Sequence, residues 1–176
     1  MHFGLHAYTL KRGIMFQFLV LVLTLNIWQL GIAGAKATDP DIVLEVQLGE
    51  GAVIGFTIDD LRALPLTEFK TSTVWTQGAD TYTGVLLLDL LHHIGHASVR
   101  GAVVVSALDG YSAQVEADLI TADAPLLSFL RNGAPMSVRD QGPVWLIFQY
   151  DNNPAFRTES IYAKSVWQVR SLEVQH

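Results

Sequence analysis

The sequence contains no cysteine. That excludes disulfides, thiolate metal ligands and cysteine nucleophiles. Basic residues are scarce as well. From residue 38 onward there are 8 Lys and Arg against 17 Asp and Glu, a net charge of −9. Such a surface argues against nucleic acid, whose phosphates need a basic face, and equally against anionic lipid. Repeats and low-complexity segments are missing. So are a Gly-x-Ser-x-Gly elbow, a Gly-x-Gly-x-x-Gly turn and a P-loop. Spacing alone yields no catalytic residues and no metal ligands. His92, His93 and His96 form a cluster. Gly95 interrupts the helical spacing between His92 and His96, so imidazoles at a helix C-terminus are the better reading than a metal site.

The one long apolar run lies at the front. Lys11 and Arg12 precede residues 14–28, which are nearly all apolar, and small residues follow to Ala37. A basic start, an apolar core and an A-x-A site describe a secretory signal peptide over residues 1–37. Both Ala33-Gly34-Ala35 and Ala35-Lys36-Ala37 fit the cleavage rule, and Thr38-Asp39-Pro40 suits an exposed mature terminus. An uncleaved anchor is the alternative and would be the chain's link to a membrane, although the run is short for a bilayer span of about 20 residues. Export places residues 38–176 in the periplasm as one domain. Without disulfides it must stand on its hydrophobic core.

Periodicity predicts a half-buried strand over 42–48, a second strand over 53–56, and a short helix opened by Thr57 and stopped before Pro65. A strand is expected over 67–76, with Phe69, Thr71, Thr73 and Trp75 on one face. A short extended piece is expected over 81–83. Residues 85–94 read as a helix, with Leu87, Leu90, Leu91 and Ile94 on one stripe and Gly95 as its cap. Asp109-Gly110 between two apolar runs predicts a hairpin with a type I′ turn. Residues 118–122 and 125–130 read as short helical pieces. Val144 to Phe148 is a buried strand preceded by the breaker Gly142-Pro143, and 166–174 is a terminal strand. The fold class that follows is α+β, with a mixed, largely antiparallel sheet and short helices.

Polar residues recur near the turns: Asp109, Tyr111, Arg139, Asp140, Arg157 and Lys164. The three cations among them suit either a small anionic ligand or ion pairs with the many acids. Arg139 and Asp140 sit in a loop between a turn at Gly133–Pro135 and the 144–148 strand, where a ligand contact and plain solvation are both open.

Taken in order, several segments resemble one family. They are Phe56-Thr57-Ile58-Asp59-Asp60-Leu61, Tyr82-Thr83-Gly84-Val85 with the leucines after it, Asp109-Gly110-Tyr111-Ser112, Arg131-Asn132-Gly133-Ala134-Pro135-Met136, Gly142-Pro143-Val144-Trp145, and Lys164-Ser165-Val166-Trp167. Their order and spacing resemble the molybdopterin-binding domain of the sulfite oxidase-type oxidoreductases, and more closely the small exported proteins that carry this domain alone. The resemblance spans about 53–174. It implies a cleft for a molybdopterin, with Trp75, Asp109, Tyr111, Arg139, Lys164 and Ser165 near the cofactor, and Trp75 and Arg139 in a common pocket. It also implies a cysteine near 73–76 as the molybdenum ligand, and here there is none. Trp145 stands about where the family has an arginine. A Thr hydroxyl or an indole cannot replace a soft thiolate. Two functions follow: a periplasmic domain that binds a small molecule or a protein partner, or an active molybdopterin-dependent oxidoreductase with an atypical metal site.

Overall fold

In the computed structural model, residues 41–49, 51–96 and 100–175 are described. The leader expected over 1–37 lies outside them. Among the described residues no helix is long and apolar enough to cross a membrane.

Among the described residues ten strands form two five-stranded sheets. The first sheet contains β1 (Leu44–Leu48), β2 (Val53–Phe56), β5 (Ala102–Ala107), β6 (Ser112–Glu116) and β10 (Val169–Val174), in the order β2-β1-β10-β5-β6. β1 and β10 pair in parallel, and the other pairs are antiparallel. The second sheet contains β3 (Thr67–Ser72), β4 (Ala79–Leu86), β7 (Leu126–Arg131), β8 (Ala134–Pro135) and β9 (Trp145–Ile147). Here β7 is the hub. It pairs with β4 on one edge, and β8 and β9 share its other edge. Among the described residues three α-helices join them: α1 (Ile58–Arg62), α2 (Leu87–His93) and α3 (Glu159–Lys164). The α+β class with mixed, largely antiparallel sheets and short helices is the one the sequence predicts.

Local chemistry explains most boundaries. The Thr57 hydroxyl accepts from the Asp60 N–H while the Asp60 carboxylate accepts from the Thr57 N–H, a complete capping box. α2 ends on Gly95, at φ +84°, with Gly95 N–H donating to His92 O and His96 N–H to Leu91 O. That is a Schellman cap. Leu87, Leu90 and Leu91 are fully buried.

Several expectations are corrected. The strand expected over 67–76 ends at Ser72, because the Thr73 hydroxyl accepts from the Trp75 N–H and pairs with the Thr76 hydroxyl, bending the chain out of the ladder. The piece expected at 81–83 is part of the eight-residue β4, which takes Val85 and Leu86 from the expected helix. Residues 126–131 form a strand, not a helical piece: this segment lies between β4 and β9 and its first four residues are buried, so pairing overrides local preference. The last strand begins at Val169, three residues late, after Gln168 at φ +52°. The Asp109-Gly110 turn is not type I′. Gly110 has φ +89° but Asp109 stays at negative φ, its carboxylate accepting from the Tyr111 N–H. The result is a three-residue loop closed by a left-handed glycine. Both φ values are positive instead at Asn132 (52°) and Gly133 (77°), which join β7 to β8 in two residues.

The core has two clusters. One is aliphatic and gathers the inner side chains of β1, β5 and β10 with α2, Val85, Leu127 and Phe129. The other is aromatic: Phe69, Tyr82, Trp145, Phe148 and Tyr150, with Trp75, Tyr162 and Trp167 packed against it. The candidate site opens beside this second cluster.

Candidate functional site

Three separate segments form a cleft of about 420 Å³. The 73–78 loop contributes Val74 and Trp75, the β5–β6 hairpin tip contributes Asp109 and Tyr111, and α3 with the residues after it contributes Glu159, Tyr162, Ala163, Ser165, Val166 and Trp167. The volume suits a small organic molecule. A second hollow of about 510 Å³, between 118–123 and 149–156, is lined mainly by polar side chains and brings no aromatic group together beyond Phe156.

Each wall of the cleft is fastened. The Thr73–Thr76 turn aims Trp75 inward, and its ring lies 5.6 Å from Trp167, 5.7 Å from Tyr162 and 5.9 Å from Trp145. These contacts are edge-to-face, the favoured geometry for aromatic pairs. Tyr111 donates its hydroxyl hydrogen to Ala163 O at 2.6 Å, tying the hairpin tip to α3. Lys164 Nζ donates to Gln114 O at 2.6 Å and lies 2.9 Å from Glu116, a second tie between α3 and β6. The Lys164 hydrogen bond holds the Glu116 carboxyl below its ordinary value. α3 is itself capped by Thr158, whose hydroxyl accepts from the Ile161 N–H. At the floor, the buried Ser165 hydroxyl bonds to the Tyr150 hydroxyl and to Ile161 O, while Trp145 Nε1 donates to Ser165 O. Burial pushes the Tyr150 phenol up, so it is neutral at any physiological pH.

The structure thus brings four of the six predicted residues, Trp75, Asp109, Tyr111 and Ser165, to one cleft. Lys164 belongs to the same helix, but its ammonium is committed to Gln114 and Glu116. Arg139 is not a lining residue. It lies in the exposed 138–140 turn, which Gln168 holds through Val138 O and Gln141 O, beside the Trp167 wall. Arg157 pairs with Asp151 at 2.6 Å and donates to Tyr150 O. The three cations therefore do not converge on the cleft. Sequence reasoning missed Glu159 and Tyr162. Their signal was weak but present: three apart on a Thr-capped helix, they fall on one face.

The molybdopterin implied by the resemblance does not fit these residues. There is no thiolate anywhere in the chain, and the hydroxyl at Thr73 is taken up by its own turn. The charged side chains on the lining are carboxylates, Asp109 and Glu159, and no lining residue is a cation that could meet a phosphate. Trp145, at the position of the family arginine, is fully buried in the aromatic core. Among the described residues no group of three His, Asp or Glu could hold a metal ion, and His92 and His93 are exposed at the end of α2.

No family model matches the chain. Over 98 residues it is 24% identical to the uncharacterized oxidoreductase YuiH of Bacillus subtilis (strain 168), a match covering 53% of this chain and 50% of that protein. The chain thus spans about half the length of this relative. Its fold is similar to that of the sulfane dehydrogenase SoxCD from Paracoccus pantotrophus, with a TM-score of 0.58 and 20% identity, over 76% of this chain and 38% of that one. At that identity the likeness is one of fold.

Proposed function

We propose that this protein is an exported, non-catalytic relative of the molybdopterin-binding oxidoreductase domains, and that it binds a small organic ligand in the aromatic cleft. One observation carries this reading. Where the resemblance requires a metal thiolate, the chain has the Thr73–Thr76 hydroxyl turn, and the space beside it is walled by Trp75, Tyr162 and Trp167. Soft-metal chemistry has been exchanged for apolar, polarisable surface. The leader at 1–37 supports export to the periplasm, where a domain without cysteine is indifferent to the oxidising environment. A protein partner at the same face is compatible with this reading. The similarity to an oxidoreductase over 98 residues favours a second reading, a redox protein with an atypical metal site.

Cofactor content separates the two. In the protein purified from its native host, molybdenum by elemental analysis and pterin by fluorescence after acid oxidation should both fall far below one per chain. Near-stoichiometric amounts of both would overturn the binding-domain reading and restore the oxidoreductase.

A further inference from the structure

The charge of the cleft is opposite to what an anionic ligand needs. Its lining holds four aromatic rings, Trp75, Tyr111, Tyr162 and Trp167, and two carboxylates, Asp109 and Glu159. The Trp75 ring stands at 87° to Tyr162 and at 78° to Trp167, the arrangement of adjoining walls and not of a stack. Aromatic faces carry negative electrostatic potential and attract cations, most strongly those with alkylated ammonium heads. Glu159 forms no ion pair within 4 Å among the described residues, so only the first turn of α3 offsets its charge. Asp109 accepts the Tyr111 N–H on one oxygen, which fixes its position. The neighbouring cation, Lys164, is neutralised by Glu116 and does not line the cleft.

We infer that the cleft recognises an organic cation with a quaternary or alkylated ammonium group, held by Trp75, Tyr162 and Trp167 and steered by Asp109 and Glu159. This rests on the binding-domain reading and names its ligand class. Zwitterions with a phosphate beside the ammonium are disfavoured, because that phosphate would face the two carboxylates. The ligand is therefore a free cationic small molecule and not a phosphocholine lipid headgroup.

The test uses the full chain as purified from its host, with intrinsic tryptophan fluorescence and calorimetry as readouts. The probes are choline, its neutral isostere 3,3-dimethyl-1-butanol, and phosphocholine. Choline should bind at least about tenfold tighter than the neutral isostere, with phosphocholine weaker than choline. Glu159→Gln should weaken choline by roughly threefold to tenfold and leave the isostere unchanged. Both Glu159 and Asp109 are exposed, so added salt should reduce choline binding as well. Equal binding of choline and the isostere would overturn the cation inference while leaving an apolar ligand site intact. Phosphocholine binding tighter than choline would overturn it in favour of a headgroup. No binding of any probe, with unchanged fluorescence, would also overturn it. A molybdenum- and pterin-loaded protein would instead remove the reading on which it rests.

Discussion

Tyr82 is fully buried in the aromatic cluster, and its hydroxyl makes no well-formed hydrogen bond among the described residues, the Thr76 hydroxyl offering only a weak partner. Burial pushes its phenol up. A buried hydroxyl without a well-formed bond regains little of its desolvation cost. Tyr82→Phe should therefore raise stability by about 1 kcal/mol in urea unfolding; a loss of stability would mean that the hydroxyl has a partner in solution. Asp151 shows the opposite condition. Its carboxylate accepts from the Ser72 hydroxyl at 2.7 Å and from the Ser72 N–H at 2.6 Å, and Arg157 lies beside it. The Ser72 bonds, with Arg157 adding to them, hold its carboxyl below the ordinary value. A lowered native value means that the stabilisation is complete above the unfolded carboxylate value of about 4 and is lost as pH falls through the native one. Unfolding free energy should therefore drop on the acid side, and Asp151→Asn should flatten part of that slope below about pH 5. An unchanged slope would assign the acid limb to other carboxylates. Little of this was visible in the sequence, since Ser72 and Asp151 are 79 residues apart.

Among the elements, β4 and β7 pass close together at Gly84. A Cβ built there would lie 2.1 Å from Leu127 O, a backbone atom that cannot move without opening the sheet. Gly84→Ala should cost about 2–3 kcal/mol or more, read as a lower urea midpoint; a neutral result would show that β4 and β7 can part locally. The sequence predicts only a short extended piece over 81–83, stopping before this glycine, because glycine is a common breaker. In fact it lets a long strand pass close to its neighbour, a role visible once the partner is known. What was legible was local: the Thr57 capping box, the α2 stripe and its Gly95 cap, and the alternation in β1. What was not legible depended on distant pairing, as in β7, or on a side chain competing for the backbone, as at Thr73 and Asp109. The type I′ rule held as physics but belonged to Asn132-Gly133. The candidate site divides the same way. Asp109 and Tyr111, next to an evident turn, were found, whereas Glu159 and Tyr162 sat on a six-residue helix with no strong signal.

At the scale of the whole molecule, charge is unevenly spent. Five cations, Arg62, Arg131, Arg157, Lys164 and Arg170, have carboxylate partners within 4 Å. Most of these pairs are partly exposed and fix geometry more than they stabilise. The acids in excess leave a negative molecule whose aromatic cleft has the same sign, so that distant field and local contact favour the same class of ligand. The order of the first sheet, β2-β1-β10-β5-β6, has a further consequence. Its middle strand is the last of the described strands, and β1 is bonded in parallel to residues 126 positions away, as Glu45 is to Ser171. β1 and β5 are joined through 169–174 alone, so the sheet has a gap until that strand is in place. Closing that gap demands a loop of almost the whole domain, which delays folding. The first sheet thus completes late, once residues 169–174 can enter between β1 and β5.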